Sequence, residues 1–349
     1  MKKYGVISFS FIFVLFGIIF ISNGCQHYKF EDRTNFKTLS ESEVSIFPLA
    51  GELAEKRAEL SGLAWYKNNL ILLPQYPQLY KENYDGALFS VTKEELQSCK
   101  DGNYKKHLSY KKIEMDFNGL DKSLIREGSG FESVAFYGKD VFFTIESGGH
   151  FNTYGNVIKG VIDEEKNIIK LFPESIKKIE PQAHISNLSE EAITLYQKKI
   201  YTFYEANGHN VAANPVVHTF DYSLNPIGTI PIENIEYRIT DATYPDSSGN
   251  FWAINYLWPD DASDLLPAGD KEFRKFGVGE SQQKNEIVER LIELKIDADK
   301  ISRTNEAPIY LKLDTENGSR NWEGIVRFGQ GFILVTDKYP ETILGYVPK

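Results

Sequence analysis

Short apolar runs rich in β-branched and aromatic residues recur along most of the chain, and brief polar turns separate them in pairs. The stretch from Phe131 to Glu146 shows the pattern: an apolar run, a turn at Gly138 to Asp140, and a second apolar run that ends in an acid. Two such runs around a short turn predict an antiparallel β-hairpin. The pattern therefore predicts an all-β fold.

This hairpin pattern occurs five times, and each copy begins and ends with polar residues whose positions differ by 14. The five pairs are Ser61 and Gln75, Glu132 and Glu146, Glu191 and Glu205, Asp241 and Asn255, and Glu323 and Asp337. A constant internal pattern indicates a repeat architecture. Because the strands of a hairpin are antiparallel, the first and fifteenth residues of each copy should lie at one edge of the sheet.

Most copies are followed by further apolar runs that complete four strands, the content of one β-propeller blade. We therefore predict a five-bladed β-propeller over residues 44–349, with an insertion at 256–284. The last copy has room for three strands, so Val44 to Leu49 should supply the fourth and close the ring. The segment 286–296 fits a strand or a helix, and we favour the strand because the fourth blade otherwise lacks one. A sixth blade within 256–319 is the alternative.

The start of the chain has a different pattern. Lys2 and Lys3 precede an apolar run from Gly5 to Ile21, and a short polar stretch leads to Cys25. This order is typical of a bacterial secretory signal. We predict a lipoprotein signal at 1–24, after which Cys25 is lipidated and becomes the N-terminus. The alternative is an uncleaved anchor, since the apolar run approaches the length that spans a bilayer.

Residues 25–43 are polar, mixed in charge and without a clear period, which predicts a tether between the membrane and the domain. Both interpretations export a membrane-attached protein, and a lipid anchor favours the outer membrane or cell surface. The sequence has two cysteines, Cys25 and Cys99. If Cys25 carries lipid, Cys99 has no partner with which to form an intramolecular disulfide. The formal net charge of -10 argues against nucleic acid as a partner and suits small cations. We expect a monomer.

The first residues of the five copies should converge around the mouth of a central channel. They are Ser61, Glu132, Glu191, Asp241 and Glu323. Two carboxylates about 4 Å apart repel by about 4 kcal/mol at an effective dielectric of about 20, so such a cluster needs compensation. Ca²⁺ would supply it, because it prefers oxygen ligands of this kind. The alternative is that these acids accept hydrogen bonds from backbone amides where blades meet.

The fifteenth residues supply the candidate catalytic acids Glu146, Glu205 and Asp337. Two of them begin a Glu-x-x-Gly-His motif, which ends at His150 in one copy and His209 in the other. A histidine beside carboxylates favours its charged form and suits a proton donor. The alternative is that the glycine permits a turn and the histidine caps the next strand.

Four arginines lie near repeat starts, where they could bind a phosphate group or pair with the ring carboxylates. They are Arg126, Arg238, Arg320 and Arg327. No Gly-x-Ser-x-Gly, Walker or His-Glu-x-x-His motif occurs in the sequence, which disfavours a serine-hydrolase mechanism.

The segment Lys56 to Leu63, taken with the later Glu132, Glu191 and Glu323, resembles the calcium-activated nucleotidase (apyrase) family. The resemblance implies a five-bladed propeller that holds Ca²⁺ on its axis through one residue from each blade. It assigns Ser61, Glu132, Glu191 and Glu323 to that role. The fourth blade of the family has Ser, where this chain has Asp241.

Two further segments, 131–135 and 323–325, resemble the phytase-like esterase propellers. Together the resemblances imply calcium-dependent hydrolysis of a phosphoric anhydride or ester in a small phosphorylated substrate. The alternative is a non-catalytic module, in which Ca²⁺ stabilises the ring and the loops bind a protein or another ligand.

Overall fold

The structure is a computed structural model that describes residues 28–103, 107–126, 128–149, 152–314, 316, 318–338 and 340–349. The predicted signal at 1–24, the lipidation site Cys25 and the candidate residue His150 lie outside these residues. No helix in the described part of the chain is long and apolar enough to cross a membrane.

The described chain is built of β-strands with three short α-helices. Its first strands are β1 Thr38–Leu39, β2 Glu41–Ser42, β3 Ser45–Phe47, β4 Leu60–Tyr66, β5 Asn69–Pro74, β6 Gly86–Thr92, β7 Lys111–Asp116, β8 Phe131–Tyr137, β9 Asp140–Ser147, β10 Tyr154–Asp163, β11 Ile168–Ile179 and β12 Glu190–Tyr196. The remaining strands are β13 Lys199–Tyr204, β14 Val216–Phe220, β15 Pro226–Pro231, β16 Arg238–Ala242, β17 Asn250–Leu257, β18 Val278–Gly279, β19 Val288–Ile296, β20 Ile301–Arg303, β21 Ile309–Leu311, β22 Trp322–Phe328, β23 Gly331–Thr336 and β24 Leu344–Pro348. The helices are α1 Lys93–Lys100, α2 Ala262–Leu265 and α3 Lys271–Lys275.

Each predicted hairpin opens an antiparallel group of four strands. The groups are β4-β5-β6-β7, β8-β9-β10-β11, β12-β13-β14-β15, β16-β17-β19-β21 and β22-β23-β24-β3. The outer strands β7 and β11 pair in parallel, so the first two groups form one eight-stranded sheet. The first strands β4, β8, β12, β16 and β22 contact one another in a closed cycle. The fold is all-β and propeller-like.

The core lies between neighbouring groups, because the inner strand of each group is buried on both faces. One cluster joins Leu88 of the first group to Phe143 and Ile169 of the second. Another joins Trp252 of the fourth group to Phe332 of the fifth, with ring centroids 5.4 Å apart. β-Branched and aromatic side chains suit such two-sided packing, which explains why they dominate the strands.

The prediction that an N-terminal strand joins the last group of strands is confirmed. β3 pairs antiparallel with β24, and Leu344 lies opposite Phe47. The segment 286–296 forms a strand rather than a helix, since β19 pairs with β17 from Val288 to Lys295. The described residues of 256–319 add α2, α3, β18 and β20 beside the fourth group, together with its third and outer strands, β19 and β21.

Residues 28–43 differ from the expected tether. The Arg33 guanidinium is buried and donates hydrogen bonds to the backbone carbonyls of residues 282, 285, 286 and 287. It also lies over the Phe273 ring, 4.9 Å from the centroid. β1 pairs in parallel with β18, and β2 with β21. A polar segment is thus fixed on the domain, because the insertion offers unpaired carbonyls that a guanidinium can satisfy.

Candidate functional site

A β-bulge occurs in the first strand of every group, at the start of the repeat. In the second group Phe131 lies opposite Ile145 and Ser133 opposite Thr144, so Glu132 is the extra residue. The same shift places Ser61, Glu191 and Glu323 as extra residues in three other groups, and Asp241 within the bulge of the fourth. A bulge bends the strand and redirects its side chain. The polar residue at the start of each repeat therefore lies in a bulge. There its side chain can point away from the direction that a regular strand would give it.

A cavity of about 590 Å³ lies at this end of the ring. It is lined by Gln75, Tyr76, Gly128, Glu132, Glu146, Asn187, Glu191, Arg238, Tyr256, Trp258, Asp261, Asn321, Glu323, Asp337 and Lys338. We call it the mouth cavity. Six of these side chains carry carboxyl groups and two are basic. The cavity would therefore have a negative net charge if all of them were ionised and no cation were bound.

Three of the five predicted ion ligands line the mouth cavity, namely Glu132, Glu191 and Glu323. Ser61 and Asp241 are buried but are not among its lining residues. The Ser61 hydroxyl donates to the Glu59 carbonyl at 3.4 Å. The structure therefore brings three predicted ligands together at this cavity and places two outside its lining.

Asp241 is held by two other groups of strands. Its carboxylate accepts hydrogen bonds from Ser133 Oγ in β8 at 3.1 Å and from the Ile325 amide in β22 at 2.8 Å. Burial raises the pKa of Asp241 well above its ordinary value, and these hydrogen bonds oppose the rise. Asp241 thus connects inner strands of different groups, which matches the backbone-bonding alternative for that position.

Further along the same inner strands is a small, mainly apolar cavity of about 70 Å³, lined in part by Leu63 and Val134.

Two of the predicted catalytic acids, Glu146 and Asp337, line the mouth cavity. Glu205 is fully buried and forms an ion pair with Arg238. His209 is exposed, and its backbone amide, not its ring, donates to Glu236 Oε1 at 3.1 Å. The carboxyl groups are therefore better placed for chemistry than His209.

Arg238 is the counter-charge of this cluster, with 14% of its side chain exposed. Besides Glu205, its guanidinium lies 3.5 Å from Asp261 Oδ2 and 4.0 Å from Glu323 Oε1. It also lies over the Tyr256 ring, 5.6 Å from the centroid. These acids raise the pKa of Arg238 well above its ordinary value despite its burial. One guanidinium therefore serves three carboxyl groups.

The carboxyl groups of the cluster are poorly compensated overall, and burial is the largest cause of their pKa shifts. It raises the pKa of Glu132 to about 8, and the neighbouring Glu146 adds to the shift. Burial and Glu205 raise the pKa of Glu146 to about 7, and burial raises the pKa of Glu205 to about 7 against the effect of Arg238. The pKa values of Glu191 and Glu323 also lie well above the ordinary value. Near neutral pH the cluster therefore retains protons.

Several oxygens of the cluster lack a partner in the described part of the chain. Glu146 Oε2 and Glu205 Oε2 are buried and accept no hydrogen bond there. The Glu191 side chain, in a residue 7% exposed, has neither a hydrogen bond nor an ion pair with any described residue. Buried carboxylate oxygens without partners are costly and call for a proton or a cation.

Within the described ranges, no three His, Cys, Asp or Glu side chains are already grouped around a common metal position. Cation binding would therefore require side-chain movement. The donors at the mouth are carboxylate and amide oxygens, which suit a hard cation such as Ca²⁺ rather than a soft one.

The other three arginines have structural partners. Arg320 is buried against Glu289 at 2.7 Å, and Arg126 donates to the Gly148 carbonyl at 2.7 Å. Arg327 lines the small apolar cavity and donates to the Asn250 carbonyl at 3.2 Å. Arg238 is the one arginine of the four that lines the mouth cavity.

Sequence analysis missed several lining residues because they lie outside the repeated hairpins. Trp258 and Asp261 belong to the insertion, Tyr76 follows the first hairpin, and Asn187 precedes the third. The sequence could have indicated these residues only by their position, because each lies within a few residues of a strand end that leads to the mouth. That signal marks loops near a site without indicating which side chain enters it.

No family model matches the chain, and no match was found among curated protein sequences. Among solved structures, a glycosyl hydrolase from Bacteroides ovatus is 12% identical, with 92% of this chain and 96% of that chain covered and a TM-score of 0.48. The β-1,2-mannobiose phosphorylase from Listeria innocua is 12% identical, with the same coverage and a TM-score of 0.47. The glutaminyl cyclase from Myxococcus xanthus is 8% identical, with 88% and 98% covered and a TM-score of 0.40. Similarities this distant do not bear on activity.

Proposed function

We propose that the chain is a five-bladed β-propeller whose mouth cavity binds Ca²⁺ and hydrolyses a small phosphorylated molecule. One observation carries the proposal: buried, unpartnered carboxylate oxygens lie around a cavity large enough for a small ligand. Glu146 Oε2 is the main example, and the Glu191 carboxyl group lines the same cavity. Such oxygens are stabilised most simply by a cation. The five groups of four strands and the cycle of inner strands support the blade count.

The residues at the mouth fit a hard cation. Glu132, Glu191 and Glu323 would supply carboxylate oxygens, and Gln75 already donates to Glu132 Oε1 at 3.0 Å. When bound, Ca²⁺ would polarise a phosphoryl oxygen and offset negative charge in the transition state. Ser61 and Asp241, which the family resemblance and the repeat pattern place in the same ring, are not needed for this assignment.

Glu146 is the best-placed group for proton transfer. Its pKa of about 7 means that it is close to half protonated at neutral pH, where a general acid or base is most effective. It lines the mouth cavity, and its buried Oε2 accepts no hydrogen bond from a described residue. Glu205 has a similar pKa but is held by Arg238, and its role is to position that guanidinium.

A phosphorylated substrate would meet two basic groups at the mouth. Arg238 faces the cavity from the fourth group of strands, and Lys338, whose Nζ lies 3.1 Å from Glu59 Oε2, lines it from the fifth. A guanidinium matches the geometry of phosphate oxygens. These two charges cannot offset six carboxyl groups, so we expect phosphate binding to require the cation.

The test is release of phosphate from a panel of nucleotides and phosphate monoesters, with Ca²⁺ and with a chelator. We expect turnover that needs Ca²⁺ and is lost in Glu191→Gln and Glu146→Gln. His209→Ala serves as the matched control and should retain activity, because its ring has no place at the mouth. Absence of turnover with every substrate, at full Ca²⁺ occupancy, would leave a calcium-stabilised binding module.

A second candidate is hydrolysis of a glycosidic bond, favoured by the aromatic residues of the mouth. Tyr76 and Tyr256 line the cavity, and Trp258 lines it with 39% of its surface exposed. Aromatic faces with carboxyl groups of raised pKa suit sugar binding and acid catalysis. Chromogenic glycosides in the same panel separate the two candidates: Ca²⁺-independent release of the aglycone would favour this one.

We also propose that the protein is exported and attached to a membrane through Cys25, on the outer membrane or cell surface, and acts as a monomer. The apolar run Gly5 to Ile21 supports this. Metabolic labelling with a fatty acid tests it, since Cys25→Ala should remove the label. Labelling that persists in that variant would contradict the lipid site.

A further inference from the structure

The N-terminal segment lies on the same end of the ring as the mouth cavity. The Tyr28 hydroxyl donates to the Pro267 carbonyl at 2.5 Å, and Arg33 donates to the carbonyls of residues 282 and 285–287. Arg274, also in the insertion, pairs with Glu31 at 2.7 Å. The first described residues are therefore fixed to the insertion.

The strand register places that insertion at the mouth. β17 runs from Asn250, next to its turn, to Leu257, and Leu257 lies opposite Val288 at the start of β19. Residues 258–287 therefore leave and rejoin the sheet at one end. Trp258 and Asp261 of this segment line the mouth cavity itself. The chain thus enters the domain beside the mouth.

The mouth end also carries exposed apolar side chains on two separate loops. Leu79 is 55% exposed in the turn that follows Gln75 and Tyr76. In the insertion, Trp258 is 39% exposed and Leu266 is 50% exposed. Exposed apolar side chains at one end of a domain are typical of a surface that meets an apolar partner.

Chain length determines which partner these residues can meet. Cys25 is three residues before Tyr28 in the sequence, and three residues span at most about 11 Å. A lipid on Cys25 would hold Tyr28, and the insertion to which it is bound, close to the bilayer. A long tether would have allowed any orientation, but the fixed segment 28–43 does not.

We propose that the mouth end of the domain rests on the lipid surface, with Leu79, Trp258 and Leu266 in contact with the membrane interface. Two basic groups of the insertion are paired with acids, Arg274 with Glu31 at 2.7 Å and Lys271 with Glu233 at 3.7 Å. The contacting side chains are themselves apolar, so we expect a contact that does not require anionic lipid. This inference requires the membrane attachment but not the hydrolase proposal, since orientation can be measured without any substrate.

Trp258 is an intrinsic probe of this contact. Of the four tryptophans, Trp252 and Trp322 are fully buried, and Trp65 is partly buried against Phe328. Full-length protein is incorporated in phosphatidylcholine vesicles with brominated acyl chains, and its emission is compared with that in unbrominated vesicles. We expect bromine to quench most of the emission that Trp258→Phe removes.

The matched control uses the opposite end of the ring. Tyr137 is 50% exposed at the end of β8, next to the hairpin turn and away from the mouth. In the Trp258→Phe background, Tyr137→Trp should show no added quenching. The inference is overturned if Trp258 is not quenched, if the residue-137 probe is quenched more strongly, or if full-length protein does not float with the vesicles.

Discussion

Gln75 Nε2 donates a hydrogen bond to Glu132 Oε1 at 3.0 Å, and this contact joins the last residue of the first repeat to the first residue of the second. The backbone follows the same path, because the Phe131 amide donates to the Gln75 carbonyl at 2.9 Å. The polar ends of the repeats therefore connect neighbouring groups of strands at the mouth. A change of charge at one repeat should therefore alter the pKa of the polar groups in the next repeat.

The first prediction concerns pH. Burial raises the pKa of Glu132 to about 8 and those of Glu146 and Glu205 to about 7, whereas unfolded glutamate titrates near 4.5. The native state therefore binds more protons than the unfolded state between these values. The contribution of these groups to the free energy of unfolding is full below about 4.5 and is lost as the pH rises towards 8.

Thermal unfolding without Ca²⁺ should thus give a lower Tm at pH 8 than at pH 6. Glu132→Gln should flatten that dependence, since the amide keeps the shape and cannot ionise. Added Ca²⁺ should raise the Tm more at pH 8 than at pH 6, because ligands must be deprotonated to bind. A Ca²⁺-free Tm that rises over this range would contradict the proposed protonation of the cluster.

The second prediction concerns Arg238. Replacement by Met leaves Glu205, Asp261 and Glu323 without their shared counter-charge in a buried site. Removal of one partner from a buried ion pair costs about 3–5 kcal/mol. Urea unfolding of Arg238→Met should show a loss of this size, and Arg57→Met, at an exposed pair with Glu55, should show little change. Equal stability of the two variants would mean that the cluster is already neutral.

Asp241 provides the third prediction. Its carboxylate bonds Ser133 and the Ile325 amide and does not line the mouth cavity. Asp241→Ala should lower stability by about 1–3 kcal/mol, the cost of leaving buried donors unsatisfied. It should leave the Ca²⁺-induced change in Tm intact, whereas Glu323→Gln should reduce that change. If Asp241→Ala abolishes the response to Ca²⁺, the ring predicted from the repeats is a single ion site after all.

The repeat made much of this fold predictable. The constant separation within each pair indicated hairpins, and the strands at Leu60, Phe131, Glu190, Arg238 and Trp322 begin at or just before the predicted repeat starts. It could not show that each repeat start is a bulge, because a bulge is set by register between two strands. Register also decides direction, which explains why Glu191 enters the mouth while Asp241 bonds neighbouring strands.

Segment 28–43 shows a second limit of pattern reasoning. Its polar composition predicted a tether, yet Arg33 is 5% exposed. The stabilising partners are backbone carbonyls of an irregular insertion, and carbonyls carry no sequence signal. The mouth residues Trp258 and Asp261 were unpredictable for the same reason, since the path of the insertion decides which of its side chains reach the cavity.

A fourth prediction follows from Arg33. Its removal leaves the carbonyls of residues 282 and 285–287 without their common donor. Arg33→Ala should lower the free energy of unfolding by about 1.5–3 kcal/mol, as expected for hydrogen bonds to a charged group. Lys29→Ala, at an exposed position of the same segment, is the control and should unfold like wild type. Identical urea midpoints for Arg33→Ala and wild type would restore the tether interpretation.

Calorimetric titration of Ca²⁺ into the wild-type protein and Glu191→Gln, at pH 8, tests the central claim most directly. Glu191 is buried at the mouth with no hydrogen bond or ion pair to any described residue, so its oxygens are free to bind a cation, which favours the ionised carboxylate. We predict saturable binding of one Ca²⁺ in the wild type and a loss of affinity of about tenfold or more in the variant, which corresponds to about 1.4 kcal/mol. No heat of binding in the wild type, or equal affinity in the two proteins, would contradict the account.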